Sequence, residues 1–350
     1  MGTLLACAHD GNGANKRVAT SHKHHRQPSQ TYGVRAVHDD FVQAGTCPTD
    51  AALSRVAEGF SQSISPDAAL LVALARKAHI AETRLHAWTG GQSETHAVSV
   101  WLSGIETRSD APLVCGMARQ GDSVTWVAAE RAALLEVDRS SGILRAELAN
   151  EFHRPVLVAL YEDFVLHRQE TSKEALRRGV SWFLDDRAPL SIQLVATGPS
   201  GSYPIAQIWN TEPRSIVALR GDEGAPIPAR LTQLRRLFGA DPMRHNRLLS
   251  RQAESHARDV CRTGKVSHEL STGADPRSRL AKMRIAADAL GEAIARGRNT
   301  ASAFGVLLES PSHLLALTDK RFTDVGMAQA LDGRGASCLV IFMAAWPRIR

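Results

Sequence analysis

The segments Ala253-Glu254-Ser255-His256-Ala257, Ser267-His268-Glu269, Asp275-Pro276-Arg277-Ser278-Arg279, Gly291-Glu292-Ala293-Ile294-Ala295, Ser310-Pro311-Ser312-His313 and Asp324-Val325-Gly326-Met327-Ala328 follow one another in the last third of the chain. Their local chemistry is consistent. Leu249, Ala253, His256, Ala257 and Val260 recur at three- and four-residue spacing, which predicts a helix over Asn246 to Arg262. His268 lies beyond Gly264, so it is expected on a loop. Glu292 is flanked by small and apolar residues, as in a central strand that turns one polar group into a cleft. Ser310-Pro311 opens a helix, with Ser as N-cap and Pro at the first helical position. His313 then falls in the first turn, facing the positive end of the dipole, which favours a neutral imidazole. Val325 to Ala330 and Cys338 to Ala344 read as two strands around the turn Asp332-Gly333-Arg334-Gly335.

In this order and spacing the segments resemble the CAP superfamily, the cysteine-rich secretory, antigen-5 and pathogenesis-related-1 type domain, in its bacterial SCP-like branch. The resemblance covers only the last third of the chain. It implies an α-β-α sandwich over residues 229–350, and a polar cleft formed by His268, Glu292 and His313. It also implies that the cleft is widely shared while its activity is often unassigned. The expected role is therefore a binding or interaction module for a lipid, cell-wall or protein ligand, rather than an enzyme. The alternative is a metal-dependent or hydrolase-like enzyme using the same cleft.

Neutral imidazoles beside a carboxylate are ligands for Zn²⁺, so His268 and His313 with Glu292 form the candidate metal set. The same residues are the catalytic candidates, with Glu292 orienting a histidine or polarising a water. Against both stands a plain polar network that fixes loops. His256, in an apolar stripe, is read as structural packing. Arg279 matches the family's Arg after Asp-Pro and is read as a tie for its loop. The pattern also departs from the family. Ala293 stands where Asn is usual, Leu307 for Trp, Leu314 for Arg and Ala316 for Asn. Ser310 occupies the place of a second cleft Glu, with Glu309 beside it, and a one-residue shift turns a helical side chain about 100° away.

Working outward, Gly221 to Pro228 is rich in Gly and Pro and reads as a linker, assigned to residues 213–228. Before it, Val98-Val100-Leu102, Val124 to Val127, Leu144 to Leu148, Val156 to Leu160, Phe164 to Leu166, Val180 to Leu184, Ile192 to Val195 and Ile205 to Trp209 are short alternating runs separated by turn residues. They predict an antiparallel β-sandwich over residues 96–212. Lone His153 and His167 carry no constellation there. Residues 49–95 read as helical, starting at Pro48-Thr49-Asp50 and again at Ser65-Pro66-Asp67, with a third element over Glu82 to Trp88. The expected fold class is thus α+β.

Residues 1–48 read as a disordered tether, polar and without periodicity from Asp10 to Gln30. His22, His24 and His25 within it are read as linker rather than metal tract. Leu4-Leu5-Ala6-Cys7 resembles a bacterial lipobox preceded by too short a leader, and makes Cys7 a candidate lipidation site and membrane anchor. The expected location is extracytoplasmic, secreted or lipid-anchored in the bacterial envelope. Cys47, Cys115, Cys261 and Cys338 remain and allow three disulfide pairings. Pairing on each side of the linker gives Cys47–Cys115 and Cys261–Cys338. The net charge of +6 is spread along the chain. No nucleic-acid motif accompanies it, so nucleic acid is not an expected partner. No run approaches the roughly eighteen apolar residues of a membrane span.

Overall fold

The computed structural model describes residues 4–8, 30–32, 47–63, 68–182, 187–210, 224–283, 286–333 and 335–346. The fold is α+β, with antiparallel sheets apart from one short parallel pair. Two short strands, β1 (Leu4–Ala8) and β2 (Gln30–Tyr32), belong to sheets completed later in the chain.

The first packed unit holds α1 (Ala51–Ser61), α2 (Ala68–Lys77), β3 (Leu85–Gly91), α3 (Thr95–Glu106), β4 (Leu113–Gln120) and β5 (Ser123–Glu130). Asp50 caps α1 by accepting from the Ala52 and Leu53 amides at 2.8 and 3.1 Å. Leu53, Val56, Ala57 and Phe60 pack with Leu71 and Ala75 of α2 and with Leu85, Val114 and Val127 on the β3-β5-β4 sheet. α3 closes a second cluster through Val98, Leu102 and Ile105 against Leu113, Cys115 and Ala128. Two expectations fail here. Glu82 to Trp88 is not helical; it runs into strand β3. Val98-Val100-Leu102 is not a strand: Val98, Leu102 and Ile105 lie on one helical face, and Val100 is 58% exposed.

The β-sandwich therefore begins later than expected. Its strands are β6 (Ala133–Asp138), β7 (Ile143–Leu148), β8 (His153–Leu160), β9 (Leu166–Glu170), β10 (Val180–Ser181), β11 (Ser191–Gly198) and β12 (Gly201–Trp209), with helix α4 (Lys173–Arg178) between β9 and β10. They form the sheets β10-β7-β6-β2 and β12-β11-β8-β9. Leu135, Val137, Leu144, Phe152, Leu157, Ile192, Leu194 and Tyr203 fill the core. Part of the expected Val180 to Leu184 strand and most of the 213–228 linker lie outside the described residues.

The C-terminal unit contains α5 (Ile227–Leu237), β13 (Arg244–His245), α6 (Arg247–Thr263), α7 (Pro276–Ala281), β14 (Ala289–Gly297), α8 (Thr300–Leu308), α9 (Pro311–Leu317), β15 (Asp324–Leu331) and β16 (Ser337–Ala345). The sheet order is β1-β14-β16-β15-β13. Period-two alternation splits the strands between two faces. Ile294, Val340, Phe342 and Ala344 pack with Leu249, Ala253, Ala257 and Val260 of α6. Ala293, Ala295, Leu339, Ile341 and Met343 pack with Leu231, Phe304, Leu307 and Leu314 of α5, α8 and α9. This is the expected α-β-α sandwich. Gly326 explains part of the Asp324 to Ala328 motif: a Cβ there would lie 2.1 Å from the Leu249 carbonyl carbon and the Ser250 nitrogen, so only glycine lets α6 rest on β15.

Disulfides join Cys47 to Cys115 and Cys261 to Cys338, one in the first unit and one in the last. The amino-terminal reading changes. Leu4–Ala8 is an edge strand, with Cys7 in register with Glu292, and Gln30–Tyr32 pairs with β6. Cleavage ahead of Cys7 would delete residues 4–6 of that strand, so lipidation of Cys7 and an intact β1 are exclusive uses of the segment. His22, His24 and His25 lie outside the described residues.

The units are bonded to one another. Gln193 on β11 accepts from the Ser310 hydroxyl and the Ser312 amide, each at 3.0 Å. Gln207 Nε2 donates to the Glu309 carbonyl at 2.8 Å. Arg76 of α2 pairs with the Glu309 carboxylate. Ser200 donates to Asp110 Oδ1 at 2.9 Å and accepts from Lys265 Nζ at 2.7 Å.

Candidate functional site

Glu292 sits on β14 with the same side-chain parity as Ile294, and so faces α6. Its side chain is 1% exposed. Three donors hold it. His256 Nδ1 lies 2.8 Å from Oε1, His268 Nδ1 2.9 Å from Oε2, and Arg279 Nη2 2.7 Å from Oε1. Arg279 also donates to the His268 carbonyl at 3.3 Å and lies over the Phe342 ring.

Each residue is placed by a local signal. Asn246 caps α6 by accepting from the Leu248 and Leu249 amides, and Gly264, at φ 68°, ends it. That left-handed stop releases the chain into the loop carrying His268. Asp275 caps α7 with Pro276 at its start, which orients Arg279.

A carboxylate can only accept, so the pairing assigns Nδ1–H to both imidazoles. Arg279 Nη1 also lies 3.0 Å from His256 Nδ1. With that nitrogen already donating to Glu292, the contact is a close approach between donors, not a hydrogen bond. Burial alone would push the Glu292 carboxyl up. The charges of His256 and Arg279 and the hydrogen bonds from both histidines outweigh it and hold the group well below the usual carboxylate range. The Nε2 atoms of His256 and His268 are buried and have no hydrogen-bond partner among the described residues.

His268 and Glu292 meet as expected. His313 does not join them. It is fully buried in the first turn of α9, capped by Ser310, and α9 packs on the sheet face opposite Glu292. Glu309 does not replace the missing cleft carboxylate either, because it is turned to Arg76. His256, read as packing, is a direct partner of Glu292, and Arg279, read as a loop tie, holds the His268 carbonyl and also bonds Glu292. The sequence did hold a signal for His256. It is the polar residue in an apolar helical stripe, the strand carries one buried carboxylate, and burying either alone is costly.

The expected Zn²⁺ set fails the geometric test. Both oxygens of Glu292 are bonded, and a guanidinium already supplies the positive charge that a cation would bring. Among the described residues no group of three or more His, Cys, Asp and Glu side chains is arranged to hold a metal ion.

The C-terminal unit is thus an α-β-α sandwich with a buried Glu on the strand beside the sheet's edge strand, tied to a helix histidine and a loop histidine. Residues 229–344 match the cysteine-rich secretory protein family, CAP, and the C-terminal region of the chain is a CAP domain. Among solved structures the chain is similar to an outer surface protein of Borrelia burgdorferi, at 17% identity over 39% of this chain and 97% of that one, with a TM-score of 0.33. It is also similar to an extracellular protein containing an SCP domain from Bacillus anthracis, at 12% identity, 88% and 100% coverage and a TM-score of 0.32. A cysteine-rich secretory protein of Staphylococcus aureus matches at 9% identity, 85% and 98% coverage and a TM-score of 0.27. No curated protein matches the sequence.

Proposed function

We propose that the protein is an exported bacterial envelope component whose CAP domain is a binding and interaction module for a lipid, cell-wall or protein ligand. The observation that carries this reading is the closed state of Glu292. A carboxylate bonded by three protein donors at 2.7 to 2.9 Å is a fixed ionic scaffold for the helix, loop and strand around it, not an acid or base waiting for substrate. Two disulfides support an oxidising, extracytoplasmic setting. Cys7 is the residue through which a lipid anchor would attach, at the expense of β1.

The second reading, a hydrolase-like site, has one observation in its favour. His268 donates Nδ1–H to Glu292 and keeps Nε2 without a partner among the described residues, the polarity a general base requires. Turnover of ester, peptide and glycoside substrates by the wild type and by Glu292→Gln separates the two. The binding reading expects no Glu292-dependent turnover. Activity lost in a folded Glu292→Gln variant overturns it. Calorimetric titration with Zn²⁺ should give no saturable heat that disappears in His268→Ala/His313→Ala. Such a heat would refute the geometry described above.

A further inference from the structure

A second polar cluster lies away from Glu292, where the first unit meets the CAP domain. Arg84, His86, Arg108, Glu130, Lys265 and Arg296 line a cavity of about 100 Å³, together with Ile105 and the backbone following α6. The first four belong to the amino-terminal unit and the last two to the CAP domain, so the cavity exists only in the assembled chain.

Its charge is unbalanced. Arg84 Nη1 and His86 Nε2 each bond Glu130, both at 3.1 Å. Burial pushes the Glu130 carboxyl up, but the His86 hydrogen bond and the Arg84 charge hold it below its ordinary value, so it is ionised. Arg296 is paired with Asp332. That leaves Arg84, Arg108 and Lys265 against Glu130 at the cavity wall, with the Asp110 carboxylate one bond further out on Ser200 and Tyr203. Arg84 is 4% exposed and stacks on Tyr203 at 3.6 Å, yet its Nε and Nη2 are buried without a partner among the described residues. A buried guanidinium with two unmet donors is costly. Among the described residues Arg108 donates only to the Gly104 carbonyl, and Lys265 donates to the Ser200 hydroxyl, which in turn donates to Asp110. Cations converging from separate elements suit a tetrahedral oxyanion, whose several oxygens accept from several directions.

We propose that this interdomain cavity binds a phosphate group, presented by a small soluble phosphate compound or by a phospholipid headgroup. The ligand bridges the amino-terminal unit and the CAP domain, bonding Arg108 and Lys265 beside the buried charge of Arg84. The cavity shares no lining residue with the Glu292 cluster, and its ligand goes beyond the binding role assigned to the CAP domain.

The test is calorimetric titration of inorganic phosphate into the whole protein at low ionic strength. Saturable one-site binding is expected. It should weaken about tenfold or more in Arg108→Gln and in Lys265→Gln, the loss of one charge-assisted hydrogen bond each. It should persist in Arg251→Gln, which removes an exposed cation of α6 outside the cavity. Arg108 is exposed, so its variant is expected to stay folded. Absence of saturable binding in the folded wild type overturns the proposal. So does an equal loss in Arg251→Gln and Arg108→Gln, which would mark diffuse surface charge. Sedimentation with phosphatidylglycerol and phosphatidylcholine vesicles separates the sources. Phosphatidylglycerol binding competed by phosphate and lost in Arg108→Gln identifies a headgroup. Phosphate binding without vesicle binding identifies a soluble compound.

Discussion

Replacing Arg279 by Met tests whether the Glu292 cluster is the ionic scaffold of the CAP domain. The Met side chain keeps much of the contact with Phe342 and removes the guanidinium. Glu292 then remains 1% exposed with two imidazoles as its only side-chain donors among the described residues. Breaking a buried pair by removing one partner costs about 3–5 kcal/mol, because the remaining charge is uncompensated. Native-state hydrogen exchange at β14 and β16 amides reads this locally, without assuming that the three units unfold together. Their exchange should accelerate by roughly two to three and a half decades. Adding Glu292→Gln to Arg279→Met removes the orphaned charge, so the double variant should recover a large part of the loss. That sign of non-additivity is the diagnostic. A single-variant cost under about 1 kcal/mol, the scale of an exposed pair, would refute the reasoning. So would a double variant equal to the sum of the singles.

Three further outcomes are expected. Glu292 has a depressed folded-state pKa, so its contribution is present above the ordinary carboxyl value of 4.5 and is lost as pH falls below it; denaturation from pH 6 to 3 should show a steeper acid loss in the wild type than in Glu292→Gln. Gly326→Ala forces a methyl to 2.1 Å from the α6 backbone and should cost about 1–3 kcal/mol in a urea melt, whereas Gly333→Ala, at an open position, should cost far less. Cys261→Ser/Cys338→Ser opens a link spanning 77 residues, whose loop closure is worth about 4.5 kcal/mol, and the thermal midpoint should fall clearly below that of the oxidised wild type.

The C-terminal third was legible because its signals are local. Ser310-Pro311, the αL stop at Gly264 and the apolar stripe of α6 each act within a few residues. The first unit was harder. Val98, Val100 and Leu102 satisfy a two-residue alternation, while Val98, Leu102 and Ile105 satisfy a helical one. The choice depends on which face Leu113 and Cys115 cover, which is a tertiary fact. Leu85 to Trp88 becomes part of a strand because it pairs across to β5, a partner some forty residues away. In the site, family spacing brought His268 to Glu292 correctly. It misplaced His313 because adjacent positions of β14 point to opposite faces: Ala293 meets α9, and Glu292 meets α6. The partners of a buried charge were readable only by matching one polar residue in each facing apolar surface. Reading His256 by its stripe alone concealed that.

The Glu309 position has a consequence for how this protein could have been put together. Its side chain is gripped by the first unit and its carbonyl by the β-sandwich, while the next residues anchor on Gln193. Excising the CAP domain at its obvious boundary would expose three torn bonding surfaces at a single corner. Such a domain does not travel between proteins like a bead on a string. Any lineage that recruited it into this arrangement had to refit that corner, and a graft of this domain elsewhere would have to carry Gln193, Gln207 and Arg76, or substitutes for them, along with it.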